Sequence, residues 1–265
     1  MTRLPPVLLV GCGKMGGAML AGWLAHGVEA AFAVDPQAST VPEGARLVPD
    51  AAALPAEFRP AAVVLAVKPQ MAAETLPLYR RFASDAVFVS IMAGQTTAGI
   101  ASLLGSGAAV VRAMPNTPAA IGRGFTAAFA APAVSEAQRS LSGTLLGAVG
   151  EVAWLPEEGM LDAVTAVSGG GPAYVFLLAE LLEAAAVDQG IPPDLARRMA
   201  RATVAGSGAL LERSPEDAAV LRRNVTSPKG TTERALAVLM ADEAWPALVR
   251  RAIADATARS RELAS

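Results

Sequence analysis

The sequence predicts an α/β domain with a mainly parallel sheet, followed by an all-α domain. Three observations carry that expectation. A Gly-rich turn, "GCGKMG" at 11–16, joins a short apolar run to a helical pattern. Continuous apolar runs then alternate with helical stretches to about residue 155, as the strands of a parallel sheet covered on both faces do. From about residue 157 the strand-like runs stop and helical periodicity fills the rest. The expected domains are therefore 1–156 and 157–265.

The elements follow in order. "PVLLVG" at 6–11 reads as a buried strand, and 14–26 as a helix with Met15, Met19, Leu20, Trp23 and Leu24 on one side. His26 falls near the end of that helix as a solvated residue. "AAFAVD" is a second strand ending at Asp35, and 61–67, 86–93 and 108–114 are further strands bounded by turn residues. "GFTAAFAA" and "EVAWLP" add strands at the sheet edge. Helical patterns then occupy 157–167, 173–189, 193–212, 215–223 and 231–262. Gly190, Pro192 and Pro193 end one helix and start the next. Helices as apolar as "PAYVFLLAELLEAAAV" bury more surface against a second copy than alone, so a homodimer is expected.

Composition narrows the function classes. The 265 residues are 53% hydrophobic and 17% charged, enough apolar material for a sizeable core. A net charge of -2 offers nothing to nucleic acid or to an anionic membrane. One histidine and one cysteine leave little for a Ser-His-Asp triad, an intrachain disulfide or a metal site, and a cytoplasmic location is expected. Arg3 and "LPPVLLVGC" imitate a lipoprotein signal ending at Cys12, but the run Val7–Val10 is too short for a signal core. The longest apolar stretches carry Glu180 and Glu183, so no membrane span is expected.

The chemistry-bearing residues start at the first turn. Gly11, Cys12, Gly13, Lys14, Met15 and Gly16 lie at a strand–helix junction, where glycines permit a tight turn and close approach of a pyrophosphate to the helix N-terminus. Asp35, nineteen residues past Gly16, stands at the end of the second strand, as in a Rossmann-like dinucleotide site. A carboxylate there accepts from a ribose diol and repels a 2′-phosphate, and positions 36–45 hold no Lys or Arg to offset it. NAD(P)H is the expected cofactor, with NADH favoured; Asp35 capping a turn with Pro36 is the alternative. Ala66, Val67, Lys68 and Pro69 follow the next strong strand, where the sheet edge meets a coenzyme, and Lys68 is held extended by its proline. Asn116, with Thr117, sits in the rigid loop "RAMPNTP" at another strand end, facing the nicotinamide.

"GCGKMG", "AVKP", "RAMPNTPA", "VSGGGPAYVF" and "VTSPKGTT", in this order and spacing, make the chain resemble pyrroline-5-carboxylate reductase from Val10 to about Leu239. The resemblance implies NAD(P)H-dependent reduction of 1-pyrroline-5-carboxylate, a small cyclic imino acid, to L-proline. It also implies a dimer interlocked through the helical domain and commonly assembled into a decamer. Two positions depart from the family pattern. Gly170 stands where the family usually has the second serine of Ser-Gly-Ser-Gly-Pro, and Lys229 where it has the first glycine of Ser-Pro-Gly-Gly-Thr-Thr.

The residues of the last motif suit such a substrate. "TSPKGTTERAL" reads as a helix start with Ser227 or Thr231 as N-cap, and apolar positions at 235, 236 and 239. Gly230 and Thr231 would then offer backbone amides to the substrate carboxylate. The resemblance implies that the Thr232 hydroxyl is the catalytic group at the imine nitrogen, as donor or as relay from water, and Ser168 is the remaining hydroxyl of the Gly-rich motif. Lysine is costly in a left-handed backbone, so Lys229 is expected in an ordinary first-turn conformation. Reduction of another imine or carbonyl acid and a non-catalytic dinucleotide sensor are the competing readings. A β-hydroxyacid dehydrogenase would carry a lysine in 173–189, and none occurs there.

Overall fold

The structure, a computed structural model, describes residues 3–105 and 107–264. Short apolar runs with all four residues buried form its central strands β1 (Val7–Val10), β2 (Ala31–Val34), β4 (Ala62–Leu65) and β5 (Val87–Ser90). β6 (Ala109–Met114), β7 (Gly124–Ala130) and β8 (Gly150–Trp154) continue the sheet as expected. A strand not expected from sequence, β3 (Arg46–Val48), pairs with β2 at the far edge. Among the described residues the order is β3-β2-β1-β4-β5-β6-β7-β8, parallel throughout except for the antiparallel β6–β7 pair. β1 therefore has β2 on one side and β4 on the other. That reversal of order opens a crevice at the C-terminal ends of the strands, where open α/β sheets bind ligands.

Helices cover both faces. α1 (Lys14–Ala25) lays Met19, Leu20 and Trp23 on one face of the sheet, with Leu145 and Leu146 of α4 (Glu136–Gly147). Trp23 Nε1 donates to the Leu145 carbonyl at 2.8 Å and satisfies its buried polar atom. The other face packs Leu76, Tyr79 and Phe82 from a 3-10 segment after the short α2 (Ala72–Thr75), with Ile100 and Leu104 of α3 (Thr97–Leu104). Burial and the Asp50 carboxylate, partly opposed by Arg81, push the Tyr79 phenol up to about 12.

The helical region begins with α5 (Met160–Val164), which runs into a π-helical turn at Thr165–Gly169 before α6 (Gly171–Asp188). α7 (Pro193–Arg213), α8 (Ala218–Asn224), α9 (Thr231–Leu239) and α10 (Trp245–Ala264) follow. The helix expected over 231–262 is thus two. Its break at 240–244 precedes Pro246, whose ring and missing N–H bar it from a helix interior. Gly190, at φ +84, closes the α6–α7 turn, with Pro193 opening α7, as expected.

By packing, the chain forms two compact units, 3–169 with 256–264, and 170–255. The division thus falls after Gly169, because α5 and the π turn pack with the sheet. In the second unit α6 and α7 lie against each other, yet Tyr174, Val175, Phe176, Leu177, Leu181 and Leu182 are exposed. One helical stretch, Met160–Asp188, is long and apolar enough to cross a membrane by length and composition. Glu180 and Glu183 still leave an 18-residue window of it with a mean hydropathy of 1.4.

Candidate active site

The Gly-rich turn lies at the crevice. Gly11, directly after β1, has φ +92, and a Cβ on it would stand 2.8 Å from the Ala66 carbonyl carbon and oxygen and 2.9 Å from the Val67 nitrogen. Ala66 and Val67 thus form the wall of the turn through their backbone. Gly16 faces the Gly11 carbonyl so closely that a side chain there would collide with it. Gly13 is the N-cap of α1, and beyond its own chain neighbours nothing described lies within 4 Å of where its Cβ would stand. The first bond inside the helix is donated by Gly17 to the Gly13 carbonyl at 2.8 Å. The amides of Lys14, Met15 and Gly16 are therefore left to a ligand, beside an exposed lysine at the positive end of the helix. A glycine floor, free amides and clear space above Gly13 fit a dinucleotide pyrophosphate.

Asp35 caps the turn at Pro36, the alternative expected for it, and also bonds back to the Gly-rich turn. Its Oδ2 accepts from the Cys12 amide at 2.7 Å, and its Oδ1 from the Gln37 and Ala38 amides at 2.8 and 3.2 Å. One carboxylate closes the turn at Pro36 and locks the Gly-rich turn from the second strand. Burial pushes the Cys12 thiol up and the Asp35 charge adds to the shift, so the thiol stays protonated. Lys68 is exposed and extended (φ -64, ψ 140), and caps the 3-10 turn Pro69–Met71 that begins at the β4 end. His26 caps α1, with Nδ1 2.8 Å from the Gly22 carbonyl oxygen.

Further along the same sheet edge, Asn116 is fixed from two sides. Its Oδ1 accepts from the Phe125 amide at 2.9 Å, and its Nδ2 donates to Ser168 Oγ at 3.1 Å. The loop after β6 and the π turn carrying the Gly-rich motif are thereby brought together. Thr117 is exposed as the first residue of a 3-10 turn. A group that sequence reasoning missed lies below. Arg112 Nη1 donates to Glu158 Oε1 at 3.3 Å, which also accepts from the Thr97 amide at 2.8 Å. Glu158 Oε2 accepts from Thr97 Oγ1 at 2.8 Å. The only signal for it was a charged residue inside an otherwise apolar strand.

The third motif lies in the second unit. Gly230, not Ser227 or Thr231, is the N-cap of α9, because its extended backbone (φ -83, ψ 173) turns the chain into the helix. The Ser227 carbonyl accepts from the Gly230 amide at 3.0 Å. Thr231 and Thr232 are the first two helical residues, exposed with their amides at the helix start. Of the apolar positions, Leu236 and Leu239 are half-buried and Ala235 is exposed. Lys229 contradicts its expectation, with φ +60 in the left-handed region. Its amide donates to Glu233 Oε2 at 2.7 Å, and this bond across the first turn offsets part of the cost of roughly 1–2 kcal/mol.

Comparison with known proteins ties these pieces together. Residues 158–263 match the family model for pyrroline-5-carboxylate reductase dimerisation, and residues 6–94 that for NADP oxidoreductase, coenzyme F420-dependent. Pyrroline-5-carboxylate reductase of Pseudomonas aeruginosa is 39% identical over 98% of this chain and 97% of its own length. The chain belongs to the pyrroline-5-carboxylate reductase family. It is an NAD(P)-type oxidoreductase, and its helical half is the family's dimerisation region, built to oligomerise. The Mycobacterium tuberculosis reductase is 38% identical over 87% of each chain. The solved Coxiella burnetii reductase superposes with a TM-score of 0.90 at 30% identity, covering 98% of both chains. The Plasmodium falciparum enzyme, solved with NADP bound, gives 0.84 at 26% identity over 98% of both. The exposed apolar residues of α6 fall within the matched dimerisation region.

Proposed function

We propose that this chain reduces 1-pyrroline-5-carboxylate to L-proline in the cytoplasm, the last step of proline biosynthesis. The observation that carries the reading is likeness over the whole chain, so the glycine turn and the helical half come from one enzyme family. A bound reduced nicotinamide supplies the hydride. The chain supplies position and protons. Gly11–Gly16 and the wall at Ala66–Pro69 hold the coenzyme, and Asn116, fixed by the Phe125 amide, orients the nicotinamide end. The amides after Gly230 take the substrate carboxylate, Ser168 lines the site, and the Thr232 hydroxyl serves the imine nitrogen. The working unit is a homodimer through residues 158–263, with dimers assembling further into a decamer as the resemblance implies.

NADH is the proposed coenzyme. Support comes from Asp35, whose charge is held at the end of β2 by three backbone amides, where a 2′-phosphate would meet it. Steady-state oxidation of NADH and NADPH with pyrroline-5-carboxylate tests both parts. The expected kcat/KM is higher with NADH, and Asp35→Ser with Gln37→Arg should move the ratio towards NADPH by about tenfold, ~1.4 kcal/mol. A tenfold wild-type preference for NADPH rejects the coenzyme assignment alone. Absence of turnover with either coenzyme rejects the reductase reading.

A further inference from the structure

Arg112 is only 3% exposed, and it lies on β6 beside the equally buried Ser90 of β5. Its Nη1 meets Glu158, while Nε and Nη2 find no partner among the described residues. A buried guanidinium so sparsely satisfied adds little stability, and a well-packed apolar pair of the same volume would serve a core as well or better. Its place in the chain gives it a different use. Four residues on, across the β6–β7 ladder at Met114 and through Pro115, stands Asn116. Glu158 precedes α5, which leads into the π turn and Ser168. Asn116 and Ser168 are joined at 3.1 Å.

The two segments are therefore tied twice, by an ion pair at the base and an amide–hydroxyl bond at the sheet edge. α5 is pinned between these ties by Asp162 Oδ1, which accepts from Ser260 Oγ at 2.7 Å. Glu158 is itself held by both donors of Thr97 at the start of α3, so its end of the tie is anchored to a helix. The π turn is the irregular piece between them, of the kind found at functional sites. We propose that Arg112 and Glu158 are positioning residues for the reduction, fixing the Ser168 turn against the Asn116 loop. The proposal rests on the reductase reading above. On that reading the pyrophosphate would lie at Gly11–Gly16 after β1 and the ribose at Asp35 after β2, both outside this brace.

The test uses the full-length enzyme with Glu158→Gln, Arg112→Met, Ser168→Ala and the double variant Glu158→Gln/Ser168→Ala. Each single change should lower kcat/KM for pyrroline-5-carboxylate by about tenfold, with coenzyme Kd by fluorescence titration within about twofold of wild type. The double variant should lose no more than its worse single parent, because both changes cut one brace. Multiplying losses in the double variant overturn the proposal. So does a Glu158→Gln enzyme with wild-type kcat/KM, or a coenzyme Kd that weakens in step with the loss of rate. Should Arg112→Met not fold, Glu158→Gln keeps the side-chain shape and decides alone. Wild type without turnover refutes the reductase reading and this proposal together, whereas the other adverse results, with an active wild type, refute this proposal only.

Discussion

Two of the turns that lead into a helix N-terminus, Gly11–Gly16 and Ser227–Thr232, are built oppositely. In the first, the positive-φ residue is Gly11, walled by the Ala66 backbone, and a buried-side carboxylate locks the turn from the next strand. In the second, the positive-φ residue is Lys229, exposed, and held by Glu233 of the helix it precedes. The first turn derives its shape from steric necessity and tolerates no side chain at Gly11 or Gly16. The second keeps its shape by a local hydrogen bond and displays two threonines. In the proposed reaction the backbone cradle would serve a coenzyme common to many enzymes, and the displayed hydroxyls one particular substrate.

Substitutions test this contrast, and Gly11→Ala should do the most damage. It adds a Cβ at 2.8 Å from backbone at a conformation costing an L-residue roughly 1–2 kcal/mol, so coenzyme Kd by titration should rise about a hundredfold. Unchanged binding would mean that the first turn is as adaptable as the second. Thr232→Val keeps shape and removes one hydroxyl, so kcat should fall about tenfold while coenzyme Kd holds. An enzyme with wild-type kcat and KM would remove the second turn from the chemistry. Lys229→Gly should do least. Relief of left-handed strain is opposed by the extra freedom glycine brings to the unfolded chain, about 0.5–1 kcal/mol. Tm by calorimetry should shift upward by no more than about 4 °C, and substrate KM should change by less than about fivefold. A large fall in Tm would show that the lysine side chain, rather than Glu233, holds the turn.

The same contrast explains what could be read from sequence. β1, α1, β2 and the glycine turn were legible because steric rules restrict which residues fit there. β3 was not, since Arg46–Val48 is three residues long and only half-buried, too little for a periodic signal. The break between α9 and α10 was masked by apolar spacing that continues across it, although Pro246 marks it. Lys229 was misjudged because an expected strain was weighed without the Glu233 bond that offsets it. The Arg112–Glu158–Thr97 group was out of reach, because Glu158 and Thr97 are 61 residues apart and no local pattern links them. Residue types at Asn116 and Ser168 were legible, while the bond between them was not.

The return of α10 to the first unit bears on how the chain is made. Ser260 fills the hydrogen-bonding need of the buried Asp162, and the Leu263 backbone closes against Gly94, where a Cβ would stand 2.5 Å from the Leu263 carbonyl oxygen. A ribosome delivers residues 3–169 long before 256–264, so the sheet unit waits, one buried carboxylate short of a partner, while the whole helical insertion is synthesised. Docking of the final helical turns therefore follows synthesis of the intervening helices.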